Sequence, residues 1–134
     1  MDDPSARQQF TYMKQEEFNE IFRQRTKALS LEIIKIVSEL KYSDALGIIR
    51  KQLFKSVTSV AANFRAVCRA RSEKERYSKL CIVVEEADET LFWIEMLIDG
   101  RFITVEKIEN PQKEAEEILK VMAAFKKKLE RIHQ

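Results

Sequence analysis

Four carboxylates crowd one short stretch, Glu85, Glu86, Asp88 and Glu89, and two serines, Ser56 and Ser59, lie close together in another. In a helical bundle, carboxylates do metal chemistry when Glu-x-x-His pairs point inward from two helices. A serine becomes a nucleophile when a base, usually histidine, takes its proton. The only histidine is His133, the penultimate residue of the sequence, so neither group has the partner its chemistry needs. The carboxylates therefore read as solvated, or as ion pairs between subunits. Nothing matches a phosphate loop, a dinucleotide fingerprint or a zinc-ligand spacing. The expectation is a non-enzyme with no catalytic residue, no metal and no cofactor.

A second kind of chemistry is better supplied. Between Arg50 and Lys79 lie nine basic residues and two acids, whereas residues 80–100 hold six acids and no base. On a helical wheel Arg50, Lys51, Lys55, Arg65 and Arg69 share an arc of about 140°, roughly opposite an apolar stripe. A basic stripe of that length can follow a phosphate backbone, which makes RNA or DNA a candidate partner. The bland alternative is a solvated stripe, or one paired with acids of the third helix or of a neighbouring subunit.

Two further patterns concern contacts. Gln52, Ser56, Ser59 and Asn63 are spaced 4-3-4 and flank the apolar stripe, placed to hydrogen-bond across to the next helix or to another subunit. Phe92, Trp93 and Met96 point about 100–220° away from the centre of their helix's apolar stripe. That helix is then apolar nearly all round, a pattern that needs cover on two sides. A subunit interface supplies the second cover, unless the 101–109 link or the N-terminal arm folds over it.

The elements that position these residues follow from period and punctuation. Seams at 3–4 residue spacing predict helices over about 16–41, 44–69, 73–99 and 111–132, carried for example by Phe22, Leu29, Ile33 and by Leu53, Val57, Phe64. The third stripe reads as Tyr77, Leu80, Val84, Ala87, Leu91, Ile94 and Ile98. Ser72 with Glu75 reads as a capping box, Gly100 as a left-handed helix end, and Asn110-Pro111 as an N-cap and first helical residue. Gly47 falls just inside the second helix. Short links make neighbours antiparallel, so the expectation is an all-α, up-down-up-down four-helix bundle. Residues 1–15 are expected to form a flexible arm and 16–134 a single domain.

Composition agrees. With 134 residues the chain is the size of one domain, and two Gly and two Pro are too few for a many-stranded β fold. A net charge of +2 excludes a polybasic chain but not a local patch. Apolar runs reach only five residues, as from Leu80 to Val84, far short of the ~20 residues that span a bilayer, and Met1-Asp2-Asp3-Pro4 is unlike a secretory signal. A cytoplasmic location without membrane attachment is expected. Cys68 and Cys81, set ~9 Å apart along antiparallel helices, are expected to stay reduced.

The stretch from Gln52 to Arg65, read QLFKSVTSVAANFR, resembles the pattern QLLRSxTSIGANxxEA, and Glu86-Ala87-Asp88-Glu89-Thr90 through Trp93 resembles E-A-x-E-T-x-x-W. Together with Ala70-Arg71-Ser72 and Lys79-Leu80, these are similar to the bacterial four-helix bundle proteins encoded by intervening sequences of 23S ribosomal RNA genes. The resemblance implies a homopentameric ring, no catalytic role and nucleic-acid binding. Ala61 stands where that pattern has glycine, and Ala66 where it has glutamate, which leaves the second helix more basic. Two functions follow as expectations: an oligomeric nucleic-acid-binding accessory protein, or a structural adaptor oligomer that binds a partner protein.

Overall fold

The computed structural model describes Phe10 and residues 13–132. The rest of the expected N-terminal arm and His133 lie outside the described residues. Four helices follow in order: α1 Gln15–Ser38, α2 Asp44–Cys68, α3 Glu73–Asp99 and α4 Val105–Ile132. Contacts run α1 to α2, α2 to α3, α3 to α4 and α4 back to α1, the closed square of an antiparallel bundle, with α2 and α3 packed most extensively. Among the described residues there is no strand, and no helix is long and apolar enough to cross a membrane.

Two boundaries form as their capping chemistry dictates. The Leu46 N–H donates to Ser43 Oγ, and the Glu75 N–H to Ser72 Oγ, each at 3.1 Å. Each serine thereby satisfies a donor that has no partner inside its helix. The Glu75 carboxylate turns to Arg71, 3.5 Å away.

Three boundary features differ from expectation, the first being that α1 ends at Ser38 and not near residue 41. Gly100 is right-handed at φ −78°, and the left-handed position is Arg101 at φ 60°. The Phe102 N–H reaches the Leu97 carbonyl and the Arg101 N–H the Ile98 carbonyl, so the helix ends at Asp99 as expected but is closed by Arg101 instead of Gly100. Glycine is still required at 100, because a Cβ there would stand 2.7 Å from the Phe102 ring. The fourth helix begins at Val105, with Pro111 inside it. Proline in a helix costs about 3 kcal/mol, but the added turn buries Ile108 completely, a gain of ~1.5–3 kcal/mol that offsets most of the cost.

The core runs the length of the bundle. At one end Phe18 packs on Phe22, Phe125 and Phe64 at centroid distances of 4.8, 5.2 and 6.3 Å, and Phe10 adds its ring to Phe22 at 5.1 Å. The Ser30 hydroxyl donates across α1 and α2 to the Val57 carbonyl at 2.9 Å. On α3 the fully buried line is Leu80, Val83, Ala87, Thr90, Ile94 and Leu97. The expected Val84, Leu91 and Ile98 are only half-buried. The buried arc is turned by one position because Thr90 packs toward α2, its hydroxyl 3.2 Å from Ser56 Oγ.

Candidate nucleic-acid interface

Helix α2 divides its circumference three ways. One arc, Leu53, Val57, Val60 and Phe64, is buried. Beside it runs the polar line. Ser56 is buried and donates to the Leu53 carbonyl, while the half-buried Asn63 amide donates to Ser59 Oγ at 3.0 Å. Gln52 is half-buried on the same line. Ser56 also accepts from the Thr90 hydroxyl of α3, so this member of the line reaches across the α2–α3 seam. Burial and the neighbouring Glu89 push the Glu86 carboxyl up, and Ser59 and Lys55 pull it partly back.

The third arc faces water and carries the basic residues. Lys51, Lys55, Arg65 and Arg69 are exposed and Arg50 is half-buried. Among the described residues none of these five forms an ion pair within 4.0 Å. They do not form one uniform stripe. Arg65 and Arg69 line an open groove of about 510 Å³ between α1 and α2, whose lining includes Leu31, Ala61 and Ala62. Lys55 leans to the α3 side, where its charge acts on Glu86. Arg50 and Lys51 sit at the N-terminal end of α2, beside Tyr42.

The groove also contains residues that the sequence reading missed. Arg23 and Lys27 of α1 line it opposite Arg65 and Arg69. Their spacing of four puts them on one helical face, which is the signal available in the sequence. Which helix that face meets is a property of the packing. Arg23 is paired with Glu20 one turn away.

The acidic and apolar face of α3 lies elsewhere. Phe92 is 49% and Met96 39% exposed, and Trp93 is half-buried. The Phe92 and Trp93 rings meet edge to face at 4.9 Å, and the indole N–H donates to Glu89 at 3.2 Å. Neither described segment that was expected to offer cover encloses the patch, since Phe10 packs on Phe18 and Phe22 and the α3–α4 link leaves Phe92 exposed. Glu85, Asp88 and Glu89 are exposed. Among the described residues no group of three or more His, Cys, Asp or Glu is arranged to hold a metal ion. Cys68 and Cys81 are free thiols, and burial pushes the Cys68 thiol up.

A family model described as 23S rRNA-intervening sequence protein matches residues 19–124. A comparison with curated proteins finds no match. Among solved structures, the chain is similar to a protein of unknown function from the S23 ribosomal protein family of Bacteroides thetaiotaomicron VPI-5482, a crystal structure at 1.70 Å resolution. The two share 28% identity over 81% of this chain and 97% of that one, with a TM-score of 0.74. The chain belongs to the 23S rRNA-intervening sequence protein family.

Proposed function

We propose that this member of the family is a non-catalytic, cytoplasmic, homo-oligomeric accessory protein, a pentamer as the resemblance implies, that holds nucleic acid on the solvent face of α2. One observation carries the reading: Arg50, Lys51, Lys55, Arg65 and Arg69 have no ion-pair partner among the described residues. Acids are abundant in this chain, and Arg25, Arg71, Arg76 and Lys113 all have one. Unneutralised cations spread over the solvent side of one helix are a surface that phosphates can occupy, with counterion release as the driving force. A ring would repeat that surface in every subunit and raise avidity without new contacts.

The exposed Phe92 and Met96 favour assembly through α3, and they also support a second reading, an adaptor oligomer with a protein partner and no nucleic-acid role. Mass measurement in solution, with and without a short RNA, separates the two. The first reading expects an oligomer whose mass rises by bound RNA. The second expects an oligomer that ignores RNA and loosens in about 1 M salt, where exposed charge pairs are screened. A stable monomer at low concentration contradicts the assembly common to both.

A further inference from the structure

One well-exposed aromatic residue stands beside Arg50 and Lys51. Tyr42, in the link between α1 and α2, is 61% exposed, and its ring centroid lies 5.3 Å from the guanidinium carbon of Arg50. The ring is seated. A Cβ on Gly47 would come within 3.1 Å of the Tyr42 ring and hydroxyl, so the ring lies directly over the backbone of the first turn of α2. Glycine weakens a helix relative to alanine, and its place inside α2 is explained by this close approach. Ile48, Lys51 and Phe54 complete the depression around the ring, and Asp44, the first residue of α2, is the acid among them.

Packed on Gly47, with the Arg50 guanidinium over it and Lys51 beside it, the ring forms a held aromatic–cation pair, and unpaired bases stack on such pairs. In a duplex the bases are stacked on one another and cannot cover such a ring. Resting on the function proposed above, we propose that Tyr42 and Arg50 form a stacking platform for one base, and that the ligand class is single-stranded nucleic acid. The backbone of the strand then runs from Lys51 along α2 toward Arg65 and Arg69 in the α1–α2 groove, with Lys55 off this path on the α3 side. From Arg50 to Arg69 is ~29 Å at 1.5 Å per residue, a length suited to a short single strand.

The test compares binding of a labelled oligo-thymidine strand and of a same-length duplex by fluorescence anisotropy, for wild type, Tyr42→Ala and Tyr42→Phe. Tyr42→Ala is expected to weaken single-strand binding on the order of tenfold and to leave duplex affinity within about twofold. Tyr42→Phe is expected to retain single-strand binding, because the ring is kept. Single-strand affinity that Tyr42→Ala leaves unchanged, or equal loss on both ligands, overturns the platform while leaving a nucleic-acid-binding basic face standing. Wild type that binds neither ligand overturns the function itself. A change in solution mass for Tyr42→Ala without nucleic acid overturns the platform as well, since the ring then belongs to a contact between copies.

Discussion

The arginines of α1 and α2 serve opposite ends. Arg25, in the α1–α4 seam, is held by Glu114 of α4 through two hydrogen bonds, one of 2.9 Å, and lies 3.2 Å from Glu117. The Glu114 hydrogen bonds hold its guanidinium above its ordinary pKa against the opposing effect of burial. Its carbon also lies 4.8 Å from the Phe22 ring centroid. Arg65 and Arg69, in the α1–α2 groove, face Arg23 and Lys27 instead. Where the facing helix supplies a carboxylate, an arginine joins two helices. Where it supplies another cation, the charge stays unpaired and open to solvent.

The largest expected effect breaks the scaffold common to both seams. Phe22→Ala removes a fully buried ring from the aromatic end of the core and is expected to cost about 3–5 kcal/mol in urea unfolding. A loss below about 1 kcal/mol would mean that this end of the bundle does not hold α1 in place. Next, replacing Arg50, Lys51, Lys55, Arg65 and Arg69 by Ala is expected to lower RNA affinity more than tenfold. Each exposed site should change stability by no more than about 0.5 kcal/mol. Arg25→Ala should do the reverse, costing about 1 kcal/mol of stability and leaving RNA affinity unchanged. Equal effects of these two variants on affinity would erase the distinction between the seams.

The smallest effect concerns the α2–α3 seam. Folding raises the Glu86 pKa, so the native state holds that proton more tightly than the unfolded chain does. Stability therefore falls as pH rises from the unfolded value near ~4.3 through the raised folded one. Glu86→Gln should raise the urea midpoint slightly at neutral pH and leave it unchanged once the pH is below that window. A midpoint that falls at neutral pH would show that the charge at Glu86 favours the fold.

These contrasts were unequally legible in the sequence. The α3 start could be read because Ser72 acts locally, within three residues, whereas the equally local Ser43 cap of α2 was not singled out. The crossing of Ser56 toward α3 could be read from its place at the edge of an apolar stripe. The start of α4 could not, because what carries the helix back past Pro111 is the burial of Ile108 against distant residues. The groove was half visible. A helical wheel shows which residues share a face, but the joining of Arg23 and Lys27 with Arg65 and Arg69 depends on how α1 and α2 meet. Tyr42 carried no signal at all, since a link has no period and its seat on Gly47 is a tertiary contact.

The most direct measurement is the salt dependence of RNA affinity for the wild-type assembly and for the variant lacking the five α2 cations, between about 50 and 300 mM monovalent salt. Each phosphate neutralised on a single strand contributes a slope of about −0.7 in log affinity against log salt, so five cations give a slope near −3.5. The expected result is a steep line for wild type and a markedly shallower one for the variant. A flat wild-type line, or two lines of equal slope, would contradict the claim that the unpaired face of α2 is where nucleic acid binds.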